Sequence, residues 1–435
     1  MSIGLGANNA GAPAASLDIS PALLQQLSNA QSLNLRGYER LDFSDGATLG
    51  GSAMKSLSLD TPEIRVGPGE VNVSADAIAL GNRGNAAAAA VSGQGVLNVS
   101  ALRGHLTVGP GNLALSGAKQ VNLSAARSVG FLGKSQVSAK GDINVTAATL
   151  NTFQAADADL QTTGQINLRH SELADPGLAG AGGHLTLSAS RVSQGGVIDL
   201  PAGLLTINAT GLGLPQDSSA IHFESGSRTL LKGLTKHMDS IAVTSPGGDL
   251  LANADGAGIQ VHSGATLDVS AAPEGGGAGR LWFVAPLGSV ALDGQLLGLA
   301  SASERGGSLT VDSAKAIDLA RLAQQLKAQG SAALANFAER LSFRNRTGDQ
   351  RVLADTELHA HQIVIGADAG QLDIDGRLQA NAKASAAGAQ AGTITLAAGN
   401  GQNLNLNAGS WIAARNLTGQ GGSLALMTTQ RSAVG

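Results

Sequence analysis

Cysteine is absent from the 435-residue chain, and aromatic residues make up only 2% of it. Without cysteine, neither a disulfide framework nor a thiolate metal site can form. Large aromatic side chains normally dominate the core of a compact enzyme, so the core here is expected to consist of valine, leucine, isoleucine and alanine. Because 43% of the residues are hydrophobic, the composition excludes a disordered chain.

Charge and long apolar runs are also scarce. Charged residues make up 14% of the chain and the formal net charge is −4, so no basic face is expected and nucleic acid is not a predicted partner. No run of 18 apolar residues occurs, and no transmembrane segment is predicted. The segment Met1–Ala10 has neither a basic nor an apolar stretch, so no secretory signal peptide is predicted in this sequence.

Glycine, in contrast, is abundant: 60 residues, which is about twice the share in average proteins. It recurs at the start of the pattern Gly-x-apolar-x-apolar, as in Gly69–Val73, Gly95–Val99, Gly141–Val145 and Gly307–Val311. Strict alternation of apolar and polar residues predicts short strands with one buried face. The glycine is expected where the chain turns and a Cβ atom would clash.

Several copies of the pattern follow one another at a spacing near 20 residues. Gly164 and Gly183 are 19 residues apart, and Gly370 and Gly392 are 22 apart. This period is too short for a domain and is typical of one coil of a parallel β-helix, in which each strand pairs with its equivalents in neighbouring coils. The predicted fold class is therefore all-β: a right-handed parallel β-helix (solenoid) with short helical insertions. The right hand rests on the general preference for right-handed crossovers together with the family resemblance that the repeats carry; the repeat pattern alone does not decide it.

Two segments depart from the strand pattern. Pro21 and the leucines after it predict a short helix near residues 21–27, beginning after Ser20. Leu319, Leu322 and Leu326 form a stripe at helical spacing. The spacing continues through Leu334, Phe337 and Leu341. Residues 315–340 are therefore predicted as a helical insertion that covers an edge of the solenoid. It divides the β-helix into a first part, 1–314, with side loops, and a second part, 341–435.

His359 and His361 are the weak candidates for a metal site. Alternate residues of a strand share a face, and two imidazoles on one face can bind zinc. A closed site needs further ligands, and none is close in sequence, so an exposed polar face is the favoured interpretation. No metal and no cofactor are predicted.

Acidic pairs raise the possibility of catalysis. Asp157 and Asp159 alternate in one strand, and so do Asp373 and Asp375. Pectin-lyase-like β-helix enzymes use acidic and basic residues on one exposed sheet, and glycoside hydrolysis needs two carboxylates at a defined separation. No cluster of aspartate, arginine and lysine recurs at coil spacing, however. The chain is therefore not predicted to be an enzyme, and catalytic residues are not assigned.

Two further features concern the surface. Glycine-rich loops at 175–183 and 273–279 are the predicted variable surfaces, although their glycines serve equally well as plain turns. Six asparagines match the glycosylation sequon, at positions where the alternation already demands exposed polar residues. These are Asn72, Asn98, Asn122, Asn144, Asn208 and Asn416.

The repeats and two longer blocks resemble a known family. The strands Gly182–Ala189 and Gly306–Ser313 resemble those of the bacterial filamentous haemagglutinins, large adhesins exported by two-partner secretion. The first block is Leu17–Leu24 followed by Leu33–Phe43, and the second is Ala316–Asp349. Both are similar to the interior region of very large haemagglutinin-like exoproteins. The resemblance covers most of the chain.

This resemblance implies a right-handed parallel β-helix that leaves the cell through an outer-membrane two-partner secretion transporter. The protein would be secreted and displayed as a fibre at the bacterial cell surface. Its expected ligands are host-cell or bacterial surface glycans and proteins, or matrix polysaccharide. The sequence has no Asn-Pro pair to match the family's secretion domain, so an internal shaft segment or a truncated reading frame is expected. Two alternatives are a carbohydrate-active, pectin-lyase-like enzyme and the passive stalk of a contact-dependent toxin delivery protein.

Overall fold

The computed structural model describes most of the chain, and the chain forms two compact units. Unit 1 comprises Met1–Ala209 and Gly226–Thr229, and unit 2 comprises Thr210–Ser225 and Leu230–Gly435. The described residues are 2–5, 16–84, 86–171, 180–215, 217–239, 241–301, 304–329, 334–385, 388–416 and 421–428. Residues 175–179 of the first predicted loop lie outside them.

Unit 1 consists of three parallel sheets, each built from one strand per coil. The strands of the first sheet, in spatial order, are Ser16–Ile19, Ser2–Leu5, Leu41–Phe43, Glu63–Val66, Gly111–Ser116, Lys134–Ala139, Asp157–Thr162, His184–Ala189 and Leu204–Ala209. Those of the second sheet are Thr48–Gly50, Glu70–Ala75, Gly95–Ala101, Ala118–Ala125, Asp142–Ala147, Gln165–His170 and Arg191–Gly195. Those of the third are Ser32–Arg36, Ser56–Asp60, Ala77–Gly81, Leu106–Val108, Ser128–Phe131, Thr149–Thr152 and Val197–Asp199.

Unit 2 repeats the arrangement, with a long parallel sheet and several short ones. The long sheet contains Asp249–Ala254, Arg280–Ala285, Ser308–Ser313, Arg340–Asn345, Gln362–Ala367, Thr393–Ala398 and Ser423–Thr428. The short parallel sheets are Ser219–Phe223, Gly258–Val261 and Val290–Leu292; Thr266–Asp268 and Gln295–Leu297; Gln350–Val352, Leu372–Ile374 and Leu404–Leu406; and Glu357–Ala360, Arg377–Ala380 and Trp411–Ala414. Three antiparallel pairs are Thr235–Met238 with Ile241–Thr244, Leu299–Ser301 with Leu334–Asn336, and Lys383–Ser385 with Gly388–Gln390. The strand Arg228–Leu230 contains residues of both units, since Arg228 and Thr229 belong to unit 1 and Leu230 belongs to unit 2.

Equivalent residues of successive coils stack on one another. The pairs Leu185 with Leu205 and Thr186 with Thr206 are typical of the register. Side chains that point inward are buried, and those that point outward are mostly polar and at least partly exposed, because successive residues of a strand face opposite sides. The predicted parallel β-helix is therefore confirmed, and its core is mainly, but not solely, aliphatic. Its handedness stays a prediction.

Phenylalanine contributes more to this core than the composition indicated. Six of the seven phenylalanines are fully buried, although the chain has few aromatic residues. Phe283, for example, lies between Ala252 and Val311 of the neighbouring coils. The six buried residues are Phe43, Phe131, Phe223, Phe283, Phe337 and Phe343.

The predicted first helix is confirmed as Pro21–Ser28. The Ser20 hydroxyl accepts a hydrogen bond from the backbone N–H of Leu23 at 3.3 Å, which caps the first turn. Proline at the first helical position needs no hydrogen-bond partner for its nitrogen. On the inner face, Leu24 is buried.

The insertion predicted at 315–340 is helical only in its first half. The helix is Leu319–Gln329, and its leucine stripe is buried as the spacing indicated. The helical prediction for the second half is wrong, because Leu334–Asn336 pairs as an antiparallel strand with Leu299–Ser301. Phe337 follows with φ of 49°, a left-handed conformation that ends regular structure, and its ring packs tightly against Gly298.

No helix in the described residues is long and apolar enough to cross a membrane.

Charged side chains also pair from coil to coil. Asp76 accepts hydrogen bonds from Lys55 of the preceding coil at 2.9 Å and from Arg103 of the following coil at 3.0 Å. The hydrogen bond from Lys55 is the main cause that lowers the pKa of Asp76 below its ordinary value, and the charge of Arg103 adds to it.

We expect the Asp76 carboxyl to titrate below the range of an ordinary aspartate, and Lys55→Met to raise its midpoint toward that range. The carboxylate favours the folded state above the pKa of the unfolded chain, and this contribution is lost as the pH falls through the folded pKa. An NMR titration measures the midpoint. Lys119→Met, which removes an exposed lysine elsewhere in unit 1, should leave the midpoint unchanged, and an equal shift in both variants would contradict the pairing.

Candidate functional site

The two predicted histidines do not share a face. His359 is exposed, and its Nε2 atom lies 3.1 Å from a carboxylate oxygen of Glu357. His361 is buried, and its Nδ1 atom lies 2.9 Å from the backbone oxygen of Asn381. The chain turns between the strands Glu357–Ala360 and Gln362–Ala367, so the alternation rule fails across this corner. The shared-face prediction is therefore wrong, and the described residues bring no third ligand to this pair.

The acidic pairs take part in hydrogen bonds between coils. Asp157 and Asp159 point outward from one strand, as predicted, and Asp159 accepts a hydrogen bond from Gln136 at 2.9 Å. Asp373 is buried, however, and accepts a hydrogen bond from the side chain of Asn405 at 2.7 Å. Asp159 and Asp373 therefore link neighbouring coils, which is a structural use of these two carboxylates.

The loop at 273–279 lies beside the hairpin formed by Thr235–Met238 and Ile241–Thr244. Glu274 makes the contact, since its Oε1 atom lies 2.9 Å from Nε2 of His237 at the exposed end of the hairpin. Within the loop, Gly275 adopts φ of 133°, which L side chains rarely adopt. The glycines of this loop thus serve its conformation.

A ladder of five asparagines crosses the second sheet of unit 1. The parallel register aligns one asparagine per coil on the outward face. The residues are Asn72, Asn98, Asn122, Asn144 and Asn167. Four of them are the sequon asparagines of the sequence, and their repeated position places the same amide in every coil.

Each amide of the ladder donates to the one before it. The Nδ2 atoms of Asn98, Asn122, Asn144 and Asn167 lie 2.9, 2.7, 2.8 and 2.9 Å from the Oδ1 atom of the preceding asparagine. A primary amide has two donor hydrogens and two acceptor lone pairs. In Asn144, the ladder uses one donor hydrogen and one acceptor lone pair. As far as the structure describes the chain, the second donor hydrogen and the second lone pair remain for solvent.

Hydroxyl groups run parallel to the asparagine ladder, two residues further along each strand. Ser100 and Ser124 are in register, and their hydroxyls are 2.8 Å apart. Thr146 and then Arg169 continue the row in the next two coils. The sheet therefore presents amides, hydroxyls and one guanidinium at regular spacing, set by the distance of about 4.8 Å between neighbouring strands.

A shallow depression of about 400 Å³ lies over three coils of this face. Most of its lining side chains are polar and half-exposed, and the depression is open to solvent. The lining residues are Gln120, Asn122, Leu123, Ser124, Asp142, Asn144, Thr146 and Arg169. We call this surface, together with Asn72, Asn98 and Asn167, the ladder face.

The depression on the ladder face is lined mainly by amides and hydroxyls. Among the described lining residues, Asp142 supplies the carboxylate, and its Oδ1 atom accepts the backbone N–H of Gln165 at 2.9 Å. General acid and base catalysis on a glycoside uses two carboxylates flanking the bond. Amides and hydroxyls, in contrast, exchange hydrogen bonds with hydroxyl-rich ligands in either direction.

The sequence contained a signal for the ladder face: asparagine recurs between the two apolar residues of the repeat in five coils. The alternation explains these asparagines simply as exposed polar residues. The alignment of the asparagines from coil to coil is hidden, because the spacing between coils is irregular. No protein-family model matches the chain, and neither a curated protein nor a solved structure matches it.

Proposed function

We propose that this chain is a structural and adhesive segment of a secreted bacterial surface fibre of the filamentous haemagglutinin type, and that its ladder face binds glycans. The ligand would be a host-cell or bacterial surface glycan or a matrix polysaccharide. Export through an outer-membrane transporter belongs to the same proposal. Its basis is the sequence resemblance together with a β-helix whose outward face carries aligned polar groups.

The asparagine ladder is the observation that carries the binding proposal. Its amides are held in place by their neighbours, so little side-chain entropy remains to be lost when a ligand binds. Arg169 at one end of the depression offers a cation to a carboxylated sugar. A regular row of such groups suits an extended polymer better than a single small molecule.

Weak contacts are sufficient for adhesion if they repeat. A hydrogen bond contributes about 0.5–1.5 kcal/mol net, so a few contacts of one sugar give low affinity. A polymer that contacts several coils engages its later sugars at high effective concentration. We therefore expect binding to strengthen with oligosaccharide length.

The test is binding of the purified chain to an array of bacterial and host glycans, followed by titration with the best ligand. A double variant, Asn122→Ala with Asn144→Ala, removes two ladder amides. We expect at least about a tenfold loss of affinity, equivalent to about 1.4 kcal/mol. The control is Asn112→Ala, an exposed asparagine on the first sheet of unit 1, which should bind as the wild type does.

Circular dichroism of each variant verifies the fold. Saturable binding by the wild type and Asn112→Ala, with loss in the double variant, supports the proposal. Equal binding by all three proteins would move recognition away from the ladder face. A folded wild type without affinity for any glycan would contradict adhesion by this segment and favour a passive stalk.

A further inference from the structure

Two histidines and a glutamate meet at a corner of unit 2, independently of the ladder face. Strand Ser219–Phe223 pairs in parallel with Gly258–Val261, and Phe223 lies opposite Val261. His222 belongs to the first strand, and Glu224 directly follows that strand. His262 follows the second strand, and its backbone N–H donates a hydrogen bond to the backbone oxygen of Phe223 at 2.9 Å. The pairing of two neighbouring coils thus brings together residues 40 positions apart in the sequence.

The possible ligand atoms are close together. Nδ1 of His222 lies 3.3 Å from Nε2 of His262, and this Nε2 lies 3.7 Å from Oε2 of Glu224. One ligand atom from each residue falls within 4.8 Å of the others. Tetrahedral zinc, with bonds of about 2.0–2.1 Å, separates its ligand atoms by about 3.3–3.4 Å. The two separations that involve His262 are therefore close to those that such an ion requires.

The tautomer of His222 is suited to this role. Its Nε2 atom lies 2.9 Å from the backbone oxygen of Ser219, so the Nε2 hydrogen is donated to that carbonyl. The lone pair then resides on Nδ1, which faces His262. A carbonyl that fixes the second ring nitrogen is the usual support of a metal-binding histidine. The two rings are nearly parallel, at 14°, and 39% of the His262 side chain is exposed.

We propose that His222, through Nδ1, His262, through Nε2, and the carboxylate of Glu224 bind a zinc ion, with water in the fourth position. Imidazole and carboxylate ligands suit zinc, whereas calcium and magnesium require sites built from oxygen. The ion joins two neighbouring coils and stabilises their pairing. The exposed position, with 41% of the Glu224 side chain accessible, admits the ion from solvent.

The experiment is calorimetric titration of the untagged, EDTA-treated chain with zinc chloride in a buffer that does not bind metals. We expect saturable binding at one site, which an excess of calcium or magnesium does not abolish. His262→Ala and Glu224→Gln should each weaken this binding at least about tenfold. The matched control is His237→Ala, because His237 and Glu274 form an exposed pair with a 2.9 Å contact but lack a second histidine.

Thermal unfolding provides a second readout, because a ligand that binds only the folded state raises its stability. Zinc should raise the midpoint of the wild type and of His237→Ala but not that of His262→Ala. The proposal is overturned if the wild type binds zinc no more tightly than His262→Ala. It is equally overturned if His237→Ala loses the same affinity, since binding would then reflect scattered surface histidines.

Discussion

Phe283→Ala is expected to lower the stability of unit 2 by about 3–5 kcal/mol, the usual cost of truncating a fully buried phenylalanine. The side chain is 0% exposed and stacks between Ala252 and Val311 of the neighbouring coils. Because the backbone pairing holds these strands at fixed spacing, the core cannot collapse into the cavity that alanine leaves. Urea unfolding followed by circular dichroism measures the change.

Trp282→Ala is the matched control, since the two residues are adjacent in the strand Arg280–Ala285 and point to opposite faces. Trp282 is 48% exposed, so its truncation should change the stability by no more than about 0.5 kcal/mol. A similar loss in both variants would contradict the inside–outside assignment of this strand.

The second large effect is expected for Gly370→Ala. A Cβ atom at Gly370 would lie 1.9 Å from the backbone oxygen of Gly348 in the preceding coil. Backbone cannot rotate away as a flexible side chain can, so the two coils must separate locally. Such overpacking costs about 1–3 kcal/mol and occasionally more. Thermal unfolding monitored by circular dichroism should show a lower midpoint.

Gly366→Ala is its control, four residues earlier in the same coil. The atom nearest to a Cβ there is the oxygen of Ala397 at 4.0 Å, which is ordinary contact. Alanine restricts the unfolded chain more than glycine does, so this variant is expected to be neutral or stabilising by about 0.4–1 kcal/mol. If Gly370→Ala were equally benign, the repeat glycines would not be needed for close approach of the coils.

The β-helix was predictable because its signal is local. In the strand His184–Ala189, for example, every apolar residue points inward and every polar residue outward. Glycine marked the turns for the reason confirmed at Gly370, where only a residue without a side chain fits. The first helix was predictable from Ser20 and Pro21, since a cap and a proline act on the adjacent turn.

Features that depend on contacts between residues far apart in the sequence were not predictable. The spacing between ladder asparagines is 26, 24, 22 and 23 residues, so the sequence alone did not align them. His222 and His262 are separated further by the hairpin of Thr235–Met238 and Ile241–Thr244. The helical spacing at Leu334 was overridden by pairing with Leu299–Ser301, which supplied hydrogen bonds from another part of the chain.

The coil-to-coil register has an evolutionary consequence. Because leucine meets leucine and asparagine meets asparagine in successive coils, a coil inserted between two others would find matching partners above and below. A tandem duplication of the DNA for one coil, such as the 22 residues Asn122–Ile143, would therefore lengthen the β-helix without exposing new apolar surface. Stacking of this kind lets a gene change the length of its product in steps of one coil, while the residues beside the new coil meet neighbours of the same type as before.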